Sequence, residues 1–267
     1  MNKPYWGLWA LLLAALVFFC VLSYWQDGIR VGPFELKTAS FARDLGAEMT
    51  KPAAKATDKA DANDGQAEGK HPKGWRAPVD TTAKNILFIG DSMLEGLAPR
   101  LAKYCDKNGH KLVEVIWYSS STLCWGESGR LTELINKYQP NYIFVCLGAN
   151  ELYVPDIKRA RRPYLKKMLA EIGDIPYVWI GPPNWDEDTG INDLLQQEVE
   201  DGCFYLSAND HFERSRDGAH PTRPSAHLWM DRVVKWLGEK GAHPIRLDKP
   251  GEGIARASHI VIYQPPK

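Results

Sequence analysis

A chain of 267 residues has room for one globular domain with accessory segments. Its 33 Lys and Arg balance 33 Asp and Glu, so no overall field attracts nucleic acid, and no nucleic-acid-binding signature is present. No Cys-x-x-Cys or clustered His spacing occurs, so the sequence calls for no metal and no cofactor.

After a short flank (1–4), Tyr5 to Trp25 form 21 consecutive residues without a charge. As a helix this stretch spans roughly 31 Å, enough for a bilayer core. Tyr5, Trp6 and Trp9 at one end and Tyr24 and Trp25 at the other resemble interfacial belts. A cleaved signal peptide is the alternative, but no Ala-x-Ala site follows, and Phe18 and Phe19 before Cys20 do not suit lipoprotein processing. An uncleaved single-pass anchor in the inner (cytoplasmic) membrane is expected, with the globular part on the periplasmic, extracytoplasmic side. Residues 26–80 form a juxtamembrane segment and linker. From about Gly46 to Asp80 the chain is mostly Ala, Lys, Asp, Gly and Pro, which cannot bury a core. As a coil this tether reaches on the order of 30–35 Å.

Residues 84–240 alternate apolar runs with amphipathic stretches, the pattern of a parallel sheet covered by helices. Strands are expected near 85–89, 111–117, 142–147, 176–180 and 203–206, and helices near 93–107, 127–138, 157–172, 191–201 and 223–238. The expected fold is a three-layer α/β/α sandwich with a five-stranded parallel sheet. Residues 241–267 are a C-terminal extension whose run Ile260-Val261-Ile262-Tyr263 has no assigned place.

The first strand ends at Gly90-Asp91-Ser92 and a helix follows at once, with Leu94, Leu97, Leu101 and Tyr104 on one face. Ser92 thus stands where open α/β sheets bind ligands. On its own, a serine before a helix is usually an N-cap. Downstream, Asp217-Gly218-Ala219-His220 puts an acid and a base in one Gly-containing turn, and the set suggests nucleophilic acyl transfer. After the third strand, Gly148-Ala149-Asn150-Glu151 turns sharply and offers an amide at the same sheet edge. The Gly-x-Ser-x-Gly elbow is absent.

With these three motifs in order, residues 84–238 resemble the SGNH (GDSL-type) hydrolase superfamily of esterases, lipases, carbohydrate O-acyl esterases and some acyltransferases. The resemblance implies a flavodoxin-like sheet, Ser92 as nucleophile, His220 as base and Asp217 as its orienting acid. It implies an oxyanion hole made by the Ser92 amide and the Asn150 side chain. Asp91, Gly148 and Glu151 would support these loops. Two departures stand out. The family's second-block glycine is missing from Ser119-Ser120-Ser121-Thr122, so the amide of Ser121 or Thr122 would stand in, and Glu151 replaces the more usual Asp.

Trp125, Tyr153 and Trp185 follow successive strands and would form a substrate-binding rim suited to a sugar ring or an acyl chain. The leading expectation is an esterase acting on an acylated carbohydrate of the cell envelope or another small ester. An O-acyltransferase served by a membrane acyl donor, or a non-catalytic glycan-binding or scaffold domain, are the alternatives. The basic run Lys158-Arg159-Ala160-Arg161-Arg162 with Lys166 and Lys167 is either a solvated face or an attractor of anionic polymer. Asp186-Glu187-Asp188 reads as a solvated loop. Cys105, Cys124, Cys146 and Cys203 permit disulfides without fixing a pairing.

Overall fold

The computed structural model describes residues 29–31, 34–36, 72–251 and 253–265. The expected anchor at Tyr5–Trp25 and most of the linker lie outside these residues. No helix among the described residues is long and apolar enough to cross a membrane. The chain divides into two units, residues 1–63 and 64–267. In the first, β1 (Ile29–Val31) and β2 (Phe34–Leu36) pair as an antiparallel hairpin.

The second unit is built on apolar strands buried on both faces, as a parallel sheet between helices demands. In β3 (Asn85–Gly90), Ile86 and Phe88 point to one layer and Leu87 and Ile89 to the other, all at 1 % exposure or less. Each such side chain contributes about 1.5–3 kcal/mol by leaving water. The other strands are β4 (Lys111–Trp117), β5 (Tyr142–Cys146), β6 (Tyr177–Ile180), β7 (Phe204–Tyr205) and β8 (His259–Tyr263). Their spatial order is β7-β6-β5-β3-β4-β8, and every pairing is parallel.

One face is covered by α1 (Leu94–Asn108) and α6 (Arg223–Lys240), whose Leu97, Leu101, Trp229 and Val233 join Phe88 and Phe144. The other carries α2 (Thr122–Ser128), α3 (Arg130–Tyr138), α4 (Ile157–Ile172) and α5 (Ile191–Glu198) over Leu87, Val145 and Trp179.

Two expectations need correction. The sheet has six strands, not five, because β8 from the C-terminal extension pairs with β4 and leaves Ile260 and Ile262 exposed. The single helix expected over 127–138 is two, α2 and α3, broken where Gly129 takes φ 68. That left-handed conformation suits glycine and ends a helix.

From β3 the chain crosses to β4 on one side and then to β5 on the other. The reversal makes the carboxyl ends of β3 and β5 a topological switch point, where a crevice opens in such sheets. Ser92 follows β3 and Asn150 follows β5.

Candidate active site

At the end of β3, Gly90 allows a close approach of backbones: a Cβ there would stand 2.4 Å from the Cys146 carbonyl oxygen. The next amide, of Asp91, donates to that same carbonyl (3.2 Å). Asp91 then turns inward, and its Oδ1 accepts from the Met93 amide (2.9 Å). α1 therefore begins without a side-chain cap from Ser92. The Ser92 hydroxyl is 2.8 Å from His220 Nε2 instead.

His220 comes from the loop before α6, and its Nδ1 lies 2.7 Å from Asp217 Oδ2. With a carboxylate accepting at Nδ1, the neutral imidazole carries its proton there and leaves Nε2 to accept from Ser92. Asp217 Oδ1 also accepts from the amides of Ala219 (2.9 Å) and His220 (3.0 Å) and from Ser215 Oγ (2.9 Å). These donors, the His220 amide foremost, hold its carboxyl well below the usual carboxylate range, so it stays ionised.

Arg214, which the sequence reading did not single out, braces this turn. Its guanidinium donates to Ala219 O (2.6 Å) and, across the loop after β6, to Asn184 O (3.0 Å) and Pro183 O (3.2 Å). Only its position three residues before Asp217 hinted at it, because its other partners lie some thirty residues away in sequence.

On the β5 side, Gly148 takes φ 124, which L side chains rarely adopt, and a Cβ would meet Pro182 at 2.9 Å. Past that turn, Asn150 Nδ2 donates to Ser120 O (2.9 Å), so one of its two amide protons ties the β5 loop to the β4 loop. The amides of Ser92 and Ser121 donate to no acceptor among the described residues. Thr122 does not serve as the stand-in donor: its amide donates to Glu151 Oε2 (2.9 Å) and its hydroxyl to Glu151 Oε1 (2.7 Å). Ser119 takes φ 55, so the β4 loop makes its left-handed turn without a glycine.

Glu151 is fully buried and pairs with Arg161 Nε at 2.7 Å. The longer carboxylate therefore has a use here, spanning from the β5 loop to the start of α2 and to α4. The rest of the basic run is largely engaged: Arg159 pairs with Asp156, and Arg162 and Lys166 pair with Glu198. Asp188 caps α5 by accepting from the amides of Gly190 and Ile191.

Trp125 is not part of the rim. Its side chain is completely buried, donates from Nε1 to Ser120 Oγ (3.0 Å) and packs edge-on against Trp117. An amphipathic helix starting at Thr122 turns that face into the core. Trp185 donates to Ala149 O (3.0 Å), and Tyr153, 56 % exposed, meets its ring edge-on with centroids 6.4 Å apart. These two aromatics do flank the Asn150 turn.

Burial raises the Asp91 carboxyl from 3.8 to about 7; the Glu151 charge adds to the rise, and the Met93 and Ala149 amides oppose it. Between those two values the folded protein keeps a proton that the unfolded chain has lost, so stability falls as pH rises through the window and levels off above it. Asp91→Asn, neutral at every pH, is expected to flatten that part of the curve. Urea midpoints measured from about pH 4 to about pH 8 check this; a slope identical to that of the parent would contradict it.

All four cysteines among the described residues are free. The sequence matches no protein-family model and no curated protein. Several solved structures are similar to this chain. TesA matches with a TM-score of 0.45 and 18% identity over 57% of this chain and 97% of its own. The psychrotrophic esterase EstA from Pseudoalteromonas sp., inhibited by monoethylphosphonate, matches with a TM-score of 0.43 and 16% identity over 58% of this chain and 100% of its own.

Proposed function

We propose that this chain is a membrane-tethered serine esterase that removes O-acetyl or other O-acyl groups from a cell-envelope glycan through an acyl-enzyme. The observation that carries the reading is the continuous line from Ser92 Oγ to His220 Nε2 (2.8 Å) and from His220 Nδ1 to Asp217 (2.7 Å). Ser92 Oγ attacks the ester carbonyl carbon while its proton passes to His220 Nε2. The carbonyl oxygen, now an oxyanion, takes hydrogen bonds from the Ser92 amide and the second Asn150 amide proton, with the Ser121 amide as third donor. Collapse breaks the ester bond, and His220 returns its proton to the leaving alcohol. Water, deprotonated by the same imidazole, then releases the carboxylic acid and restores Ser92.

The tether and the glycan rest on different support. The uncharged run Tyr5–Trp25 and the linker beyond it favour a domain held near a membrane. Tyr153 and Trp185 offer aromatic faces beside the Asn150 turn, which suit a sugar ring. Released acetate from an O-acetylated polysaccharide tests the substrate. The chain is expected to release it and Ser92→Ala is not; transfer of the acyl group to an added sugar as the main product would overturn the hydrolytic reading.

Asn150→Ala is expected to lower kcat roughly 10²–10³-fold with little change in KM, because it removes a donor used in the transition state. Steady-state kinetics on a short aryl ester measure the split. A change confined to KM would move Asn150 out of the oxyanion hole.

A further inference from the structure

Away from Ser92, at the amino-terminal edge of the sheet, a second group of side chains converges. Cys203, fully buried, immediately precedes β7, Glu200 stands three residues earlier, and His243 follows α6. One ligating atom from each lies within 4.8 Å of the others. Bonds that do not use the three ligating side chains hold this stretch of main chain in place. Ala242 donates to Gly202 O (2.8 Å), Tyr142 Oη donates to His243 O (2.7 Å), and the Glu200 amide donates to Tyr177 Oη (3.3 Å). Glu200 Oε1 is shut off from solvent with no hydrogen-bond donor in reach among the described residues. A buried carboxylate oxygen left in that state costs free energy unless a cation or a donor meets it.

We propose that Glu200, Cys203 and His243 form a zinc site that staples the segment after α6 to the turn before β7. Sulfur, imidazole nitrogen and carboxylate oxygen together match the ligand set of zinc, with a water completing a tetrahedron, and the thiol disfavours magnesium and calcium. The charges balance: a thiolate and a carboxylate neutralise a divalent cation beside a neutral imidazole, and the thiol proton leaves to solvent on binding. Because the site lies at the edge opposite Ser92, its role is structural. The individual His and Cys positions give no motif, since forty residues separate Cys203 from His243 in sequence.

The test uses the full chain, stripped with a chelator and titrated with cobalt(II) as an optical probe. One equivalent is expected to bind with an intense thiolate-to-cobalt charge-transfer band, which zinc then displaces. Cys203→Ser and His243→Ala should each abolish the band, and Glu200→Gln should weaken zinc binding about tenfold or more. Zinc should raise the melting temperature of the parent and leave that of Cys203→Ser unmoved. Ester turnover of the metal-loaded Glu200→Gln protein should match the parent, so failure here and failure of the esterase reading are separable. Absence of the band in the parent overturns the proposal, as does a band that survives in Cys203→Ser. Should Cys203→Ser not fold, the parent spectrum and Glu200→Gln decide: unchanged zinc affinity in Glu200→Gln overturns it.

Discussion

Ser92→Ala and His220→Ala are each expected to lower kcat for a short aryl ester by roughly 10⁵–10⁶-fold, with KM nearly unchanged. In the proposed mechanism the two groups act as one unit: Nε2, 2.8 Å from the hydroxyl, takes its proton as it attacks. Combining the substitutions should therefore cost no more than either alone. Asp217→Asn should cost about 10⁴-fold, because an amide at that position favours the tautomer with its proton on Nε2. For Ser92→Ala and His220→Ala the effect should be on turnover with little change in stability, since the Ser92 and His220 side chains are only partly buried. Comparing circular dichroism melts with the kinetics separates the two. A Ser92→Ala protein with more than about a tenth of parental turnover would place the nucleophile elsewhere.

Arg161→Ala is expected to destabilise the second unit by about 3–5 kcal/mol, because it leaves the Glu151 carboxylate buried without its counter-charge. For a domain of this size that is a fall in Tm on the order of 10 °C. Glu151 has no solvent exposure and only Thr122 remains to satisfy it. Burial raises its carboxyl, so protonation offers an escape, and the deficit should shrink as the pH is lowered. Turnover should fall as well, since Asn150 precedes Glu151 in the same 3₁₀ turn. Urea unfolding at neutral and acid pH measures this. A loss within about 0.5 kcal/mol would mean the pair behaves like a surface ion pair, contrary to its geometry.

Much of this arrangement can be read along the chain. The apolar runs at β3, β4 and β5 need burial on both faces and so read as parallel strands. The Gly90-Asp91-Ser92 and Asp217–His220 turns announce reactive groups at strand and helix ends. What escapes is whatever depends on partners far apart in sequence. β8 is one short apolar run near the end of the chain whose Ile260 and Ile262 face solvent, so nothing local says that it completes an edge beside β4. Trp125 looks like a rim residue because it follows a strand closely. The start of α2 at Thr122, fixed by a carboxylate from Glu151, rotates it into the core instead. Arg161 and Arg214 look like surface charge in sequence and become braces only when Glu151 and the 183–184 carbonyls arrive from other loops.

Without a glycine, the β4 loop turns through Ser119 at φ 55 and is tied to Asn150 through Ser120 O. The donor set at the sheet edge is thus held by the side chain of one loop bonding the carbonyl of the next.

The most direct test of the acyl-enzyme is covalent capture. The chain treated with a fluorophosphonate and analysed by intact mass and peptide mapping should carry one adduct, on Ser92, absent from Ser92→Ala and strongly slowed in His220→Ala. An adduct mapping to another residue, or a protein that hydrolyses esters while Ser92 stays unmodified, would contradict it.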